Sequence, residues 1–254
     1  MRRGWRSGML GVWCIVCTGG LHAQPLSVSL LPSSDVARLR VDQPVTIDVM
    51  VSGLSSGTEL VFLAATVNYD GSSLGMASAV QAGPIVPTIP NSDSFLSAVE
   101  LGMVDASFRS FDAPSTSRIV TNGRFVRISL RPVEAGSGNL TISFSGAFRP
   151  DPADLNHVLE VPVNVATPLA YTVRYANDNC ADATIVSDGL YSIANAFAST
   201  DGPPQLTCFS GADNTISNDR WWRYVAPTIG TVKVSTCGAS YDTRIVVYGP
   251  TCPA

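Results

Sequence analysis

The sequence predicts an all-β protein built from antiparallel strands. Three observations carry this prediction. Apolar and polar residues alternate with a period of two in segment after segment, clusters of Gly, Ser, Asn and Asp separate these segments, and no comparable stretch has helical periodicity. Such alternation places apolar side chains on one face of a strand and polar ones on the other. The predicted fold class is therefore a β-sandwich.

Residues 1–23 have the layout of a secretory signal peptide. Three arginines are followed by a short apolar run, 9–17, and by small residues that end at Ala23. The apolar run is too short to cross a bilayer as a helix. We therefore expect cleavage near Ala23 and a secreted or cell-surface protein.

The charge of the remaining chain disfavours two classes of partner. Without the signal segment it has 13 basic and 20 acidic residues, a net charge of −7, and Lys233 is its only lysine. Phosphate and anionic lipid surfaces are bound by clustered Lys and Arg. We therefore expect no nucleic acid partner, and no later segment is apolar and long enough to predict a membrane span.

Four segments between residues 24 and 166 show the alternation most clearly. They are residues 45–52, 126–132, 139–145 and 158–165. Pro162 in the last segment indicates an edge strand or a bulge, because proline cannot donate to a ladder. Between residues 75 and 121 the pattern weakens, and we expect short strands there that cover one face of the sandwich.

Three stretches of this region carry a family resemblance. They are "VSLLPSSDVARLRVDQPVTIDVMVSGL", "LVFLAATVNYDGSSLGMASAVQAG" and "NGRFVRISLRPVEAGSGNLTISF". They are similar to the opening strands, the next strand pair and the late hairpin of cohesin-like domains in exported bacterial proteins. Over about residues 26–165 the resemblance implies a cohesin/Ig-like antiparallel sandwich. It also implies a dockerin-like protein partner bound through one sheet face.

The cysteines predict disulfides in the C-terminal part. Two of six leave with the signal segment, and Cys180, Cys208, Cys237 and Cys252 remain. An even set in an exported protein indicates two disulfides. The rival zinc site is disfavoured because no C-x-x-C pair occurs and His157 is the sole histidine outside the signal segment. Spacing leaves the pairing open; we favour Cys180–Cys208 and Cys237–Cys252, since each closes a loop of moderate length.

The C-terminal part carries a second resemblance. The motifs "NDNCADA", "ASTDGPP", "NDRWWRYVAP", "VSTCG" and "YDTRIVVYGPTC" occur in that order. They resemble a β-sandwich module of large secreted proteins from planctomycete-type bacteria, related to pre-peptidase C-terminal domains. Such modules continue with further strands. The resemblance therefore implies a smaller, incomplete sandwich that the chain leaves truncated; the alternative is a naturally short module closed by a Cys237–Cys252 bridge.

These patterns divide the chain into four parts. They are a signal peptide (1–23), a cohesin-like sandwich (24–166), a linker (167–176) and a partial four-cysteine module (177–254).

The sequence offers no constellation typical of an enzyme. His157 has no G-x-S-x-G nucleophile elbow to serve. The acidic residues Glu134, Asp151, Asp154 and Glu160 fall in predicted turns or on solvent faces of strands, where carboxylates are normally solvated. We therefore predict a non-catalytic protein without catalytic residues.

No cofactor or metal site is predicted, although calcium would suit some of the oxygen ligands. The motif "DPADLN" contains Asp151, Asp154 and Asn156, and Asp178 and Asp242 offer further carboxylates. None of them has the spacing of a calcium-binding loop. Asx residues that bond their own backbone in turns are the simpler interpretation.

An aromatic cluster in "RWWRYV" is the basis of an alternative hypothesis, carbohydrate binding. Alternation places Trp222 and Tyr224 on one face, which we expect in the core, and Trp221 on the other, more exposed face. Our leading hypothesis is a non-catalytic adhesion or scaffolding protein acting through sandwich faces and loops. The alternative is a carbohydrate-binding appendage of a secreted hydrolase, with Trp221 stacking on an extracellular polysaccharide.

The first prediction concerns export. The protein recovered from the medium or cell surface of its producing cells should begin at Gln24, because the small residues before it fit a signal peptidase site. N-terminal sequencing or intact mass measurement checks this. Recovery of the protein with residues 1–23 still attached would contradict it.

Overall fold

The computed structural model describes residues 25–88, 94–110, 117–154, 157–204 and 216–253. The predicted signal peptide, Cys208 and Asn156 lie outside these residues.

A five-stranded sheet forms one layer of the fold. Its strands are β1 (Leu26–Pro32), β3 (Val45–Ser52), β5 (Ala79–Ala82), β8 (Gly123–Leu130) and β11 (Val163–Val165). They lie in the order β11–β1–β3–β8–β5, and all neighbours are antiparallel except β1 and β11.

A seven-stranded sheet forms the second layer. Its strands are β2 (Leu39–Arg40), β4 (Phe62–Asn68), β6 (Phe95–Glu100), β7 (Met103–Arg109), β9 (Gly136–Pro150), β10 (Val158–Glu160) and β12 (Leu169–Arg174). Their order is β2–β12–β9–β4–β7–β6, with β10 paired to the end of β9. The short helix α1 (Gly71–Leu74) follows β4, and 3-10 turns lie at Val36–Arg38 and Cys180–Asp182.

The core lies between the two sheets and follows the alternation of the sequence. Ile47 and Val49 of β3 are fully buried, and so are Leu63 of β4 and Phe108 of β7. They belong to one continuous apolar cluster to which both sheets contribute. The all-β sandwich predicted from the period-two pattern is thus confirmed. Residues 75–121, where the alternation of apolar and polar residues is weak, also contain strands. One of them, β7, lies inside its sheet between β4 and β6.

The prediction of one continuous strand over residues 158–165 is wrong. Pro162 divides it, so that β10 pairs with β9 in one sheet and β11 pairs with β1 in the other. The amide of Val161 donates to Ala147 at 2.8 Å, and the carbonyl of Pro162 accepts from Leu26 at 2.8 Å. Since proline has no amide hydrogen to donate, the chain changes sheets there without losing a ladder hydrogen bond.

Residues 167–176, expected to be a linker, contain strand β12. This strand pairs antiparallel with β9 from Leu169 to Val173 and parallel with β2 at Val173 and Arg174. Tyr171 and Val173 are buried in the core. Their alternation with Thr172 continues the sandwich pattern for one more strand, so the connection to the C-terminal part starts only after Arg174.

The C-terminal part contains one strand pair in its described residues. β13 (Thr184–Val186) and β14 (Trp222–Tyr224) lie parallel to each other. Residues 244–248 form no strand, although apolar residues alternate there: Ile245 and Val247 lie in irregular backbone, 44% and 80% exposed. Their alternation finds no neighbouring strand in the described chain, and a strand is stabilised by its cross-strand partners.

The second prediction tests the close approach of β5 to β8. An added Cβ at Gly83 would lie 1.8 Å from the backbone oxygen of Arg124, and the Gly83 amide donates to Phe125 at 2.7 Å. Gly83→Ala should therefore lower the free energy of unfolding by about 3 kcal/mol. Urea denaturation measures this loss.

Gly230→Ala is the matched control, because a Cβ there meets nothing within 4 Å. It should leave the free energy of unfolding nearly unchanged. Equal stability of the two variants would contradict the packing described for Gly83.

Candidate functional site

The outer face of β9, β4, β7 and β6 carries a solvent-open depression, and we name it the β4–β7 face. Residues that alternate with the buried core point outward along these strands. They are Phe62, Ala64, Thr66 and Asn68 of β4, Met103, Asp105, Ser107 and Arg109 of β7, and Leu96, Ala98 and Glu100 of β6.

Small residues in the middle rows of this face create a shallow depression. Cross-strand register aligns Ala64, Ser107 and Leu96 in one row, and Thr66, Asp105 and Ala98 in the next. The depression has a volume of about 460 Å³ and is open to solvent. A surface of this shape suits a convex element of another molecule rather than an enclosed small ligand.

Aromatic rings border the depression on one side. Phe62 and Phe148 are cross-strand partners on β4 and β9, and their ring centroids lie 5.6 Å apart. Both are half-buried. Leu96, on the edge strand β6, is 43% exposed at the opposite side. The depression is therefore flanked by apolar side chains that a partner could bury.

A single carboxylate lies in the depression. Asp105 accepts a hydrogen bond from the Thr66 hydroxyl on the neighbouring strand. Asn68 donates to the Ser143 hydroxyl at 3.1 Å in the adjoining row. These bonds fix the polar side chains in place, and the half-buried Asp105 offers its remaining lone pairs to a donor or cation from outside.

Sequence reasoning missed this face, although its signal was present. In the strands "FLAATVN" and "MVDASFR" the outward positions carry Ala, Thr, Asp and Ser rather than long charged residues. Such short side chains are unusual on a wholly solvated face. These side chains align into one depression only because three strands pair in a particular register. No short stretch of the sequence specifies that register.

The outer face of the other sheet is polar and ion-paired. Arg127 donates two hydrogen bonds to Asp48, both 2.7 Å long, and Arg124 lies 3.7 Å from the same carboxylate. The hydrogen bonds from Arg127 hold the pKa of Asp48 below its usual value, against the opposing effect of burial. Asp48 is thus held by two arginines of the neighbouring strand.

The Trp221 side chain contacts other residues of the same chain. Its indole N–H donates to Asp201 at 2.7 Å, and its ring centroid lies 5.3 Å from that of Tyr248. The nitrogen that would bond a sugar hydroxyl is therefore already occupied. Trp222 and Tyr224, expected in the core, are only half-buried, and the Tyr224 hydroxyl donates to Asp188 at 2.8 Å.

Asp219 forms a carboxylate pair with Asp201 that spacing alone did not indicate. Asp219 accepts from the amides of Asp201 at 3.0 Å and Gly202 at 2.8 Å. Burial and the neighbouring Asp201 raise the pKa of Asp219 above its usual value. These carboxylates accept from backbone amides and from the Trp221 indole, so the pair links two segments that are 18 residues apart in the chain.

The remaining candidate residues lie in turns or bond to other protein groups. His157 is 74% exposed, and its Nδ1 lies 2.9 Å from Asp154. Asp151 accepts from the amide of Ala153 at 2.8 Å, as expected of an Asx turn. Glu134 accepts from the Tyr175 hydroxyl at 2.8 Å. No three His, Cys, Asp or Glu residues are grouped to hold a metal ion among the described residues.

Asp178, offered above as a calcium ligand, is buried and bound by protein groups. It accepts from the Ser199 amide at 2.6 Å, from the Ser199 hydroxyl at 3.0 Å and from Arg174 at 3.2 Å. Its oxygens therefore serve the packing of the protein.

The favoured cysteine pairing is wrong for the described cysteines. Cys180 is bonded to Cys252, with the Cα atoms 5.7 Å apart, and Cys237 is an exposed free thiol among the described residues. The bond joins the 3-10 turn at Cys180 to the last residues of the C-terminal part. Spacing favoured the shorter loops, but pairing follows the distance between Cα atoms in the folded chain, which spacing does not measure.

Comparisons with solved structures return cohesins. The seventh ScaB type I cohesin from Pseudobacteroides cellulosolvens has 17% identity and a TM-score of 0.47, covering 59% of this chain and 92% of that chain. The sixth cohesin of scaffoldin B from Acetivibrio cellulolyticus, solved with a Cel5 dockerin mutant, has 22% identity and a TM-score of 0.44, covering 59% and 99%.

A non-cellulosomal cohesin from the archaeon Archaeoglobus fulgidus has 16% identity and a TM-score of 0.39, covering 59% of this chain and 91% of that chain. No protein-family model matches the sequence, nor does any curated protein. In the parts of the chain that the structure describes, no helix is both long and apolar enough to cross a membrane.

The third prediction concerns the acid stability given by Asp48. Its folded-state pKa lies below the unfolded value of 3.8, so its stabilising effect is complete above that pH and is lost as the pH falls further. Asp48→Asn should lower Tm at pH 7 by about 2–4 °C. Below about pH 3 the difference from the wild type should shrink.

Thermal denaturation at both pH values measures this effect. Asp42→Asn is the control, since Asp42 forms an exposed pair with Arg131 at 3.1 Å and should change Tm little at either pH. A difference between wild type and Asp48→Asn that does not change with pH would contradict the assignment.

Proposed function

We propose that this chain is a non-catalytic, secreted scaffolding module that binds a protein partner through the β4–β7 face. The observation that carries the proposal is the open depression formed by small residues on three adjacent strands. Its floor is rigid, because each outward residue alternates with a core residue such as Leu63 or Phe108.

The chemistry of the face suits a helical or otherwise convex partner. Ala64, Ala98 and Ser107 allow the close approach of another backbone, while Phe62 and Leu96 supply apolar area at the borders. Apolar contacts surrounded by a polar rim are typical of protein interfaces. The carboxylate of Asp105 would favour a partner that brings a hydroxyl, amide or basic group to the centre.

The partner class follows from the resemblance of residues 26–165 to cohesin-like domains. That resemblance implies a dockerin-like module, and solved cohesins include complexes with dockerins. The adhesion role and the glycan-binding alternative have weaker support, since the N–H and ring of Trp221 already contact Asp201 and Tyr248.

The fourth prediction tests the face directly. Ala98→Arg places a long cation in the depression at an exposed position of edge strand β6. It should weaken binding to a cognate dockerin module about tenfold or more without changing Tm, because it fills space that the partner needs. Biolayer interferometry of residues 24–254 against a panel of purified dockerin modules measures the affinity.

The matched control is Ala79→Arg, on edge strand β5 of the other sheet, where residue 79 aligns with the outward Ser129. It should bind like the wild type. Equal weakening by both substitutions would contradict the assignment of the face. Failure of every dockerin, combined with glycan binding that Trp221→Ala abolishes, would favour the carbohydrate-binding alternative.

A further inference from the structure

Arg220 joins the C-terminal part to the point where the chain leaves the sandwich. Its Nε donates to the side-chain oxygen of Asn177 at 2.8 Å, Nη2 donates to the same oxygen, and Nη1 donates to the carbonyl of Ala194 at 2.7 Å. Asn177 lies three residues after the end of β12. One guanidinium thus connects three positions that are distant along the chain.

The same guanidinium stacks between two aromatic rings. Its central carbon lies 3.9 Å from the ring centroid of Tyr175 and 5.5 Å from that of Trp222. Tyr175 directly follows β12 and belongs to the sandwich side, whereas Trp222 lies in β14. Arg suits such a site because its planar group can stack and donate hydrogen bonds at the same time.

Further contacts hold the chain between the two parts. The buried Asn177 donates to the carbonyl of Trp221 at 2.8 Å, and its own carbonyl accepts from the Trp221 amide at 3.0 Å. Asp178, also buried, binds Ser199 and Arg174. On the sandwich side, the Tyr175 hydroxyl donates to Glu134 in the loop between β8 and β9.

An ion pair away from Arg220 spans the same junction. Arg40 of β2 bonds Asp182, which follows Cys180 in the 3-10 turn. Because Cys180 is bonded to Cys252, this turn is also tied to the last residues of the described chain. The ion pair and the disulfide therefore restrain the residues after β12, which are not free to act as a flexible hinge.

We propose that Arg220, stacked between Tyr175 and Trp222 and bonded to Asn177, is the locking residue of a rigid joint that fixes the C-terminal part against the sandwich. The joint makes the two parts one cooperative unit with a constant mutual orientation. A flexible linker would instead let each part unfold and reorient alone. This inference does not depend on the partner proposed for the β4–β7 face.

The experiment uses the mature chain, residues 24–254, and replaces Arg220 by Met. Arg220→Met keeps an unbranched stem and removes every hydrogen bond of the guanidinium. Differential scanning calorimetry should show one transition for the wild type and two for the variant. Small-angle X-ray scattering at a temperature below both transitions should show a larger radius of gyration for the variant.

Arg223→Met is the matched control, since Arg223 lies three residues further along the chain, in β14, and is exposed. It should keep one transition and the wild-type radius of gyration. Two transitions in the wild type, or identical behaviour of the two Met variants, would overturn the proposal.

Two further measurements separate the joint from simple misfolding. Non-reducing peptide mapping that recovers the Cys180–Cys252 bond in Arg220→Met shows that its C-terminal part is still assembled. Arg220→Lys keeps the charge but not the planar fork, and it should also give two transitions. A single wild-type-like transition for Arg220→Lys would overturn the role of the stacked guanidinium.

Discussion

The rest of the structure depends on the apolar packing between the two sheets, which involves the side chains of Ile47, Leu63 and Phe108. Full burial of such a side chain contributes about 1.5–3 kcal/mol, and the cluster extends over both layers. Burial fixes the strand registers, because a slip of one residue would turn every core side chain outward. The positions of all outward residues follow from that register.

This dependence explains how ordinary short side chains form a depression on the surface of the seven-stranded sheet. Ala64 and Ala98 contribute little by themselves. They lie in one depression because β4, β7 and β6 are held in register from beneath. The opposite sheet differs because Arg124 and Arg127 both form ion pairs with Asp48 on its outer face. The outer faces of the two sheets thus differ in shape and in charge.

The C-terminal part is attached by polar chemistry rather than by an extended apolar interface. Arg220, Asn177 and Asp178 are bonded to side chains and backbone groups from several segments. Buried polar groups are costly when unpaired, and a network that satisfies them specifies one arrangement. Burial lowers the pKa of Arg220, opposed by the nearby Tyr175 and Glu134, and Tyr175 has its pKa raised to about 12 by burial and by Glu134.

The sequence by itself determined the features that depend on neighbouring residues: the alternation of β3 and β8, the core positions within them, and the all-β class. Tertiary structure alone decided the change of sheet at Pro162, the strand at Leu169–Arg174, the β4–β7 face and the Cys180–Cys252 bond. Each of these joins residues far apart in the chain. The physical reason is that periodicity records which side of a strand is buried, whereas the identity of its neighbour is set by packing across the whole core.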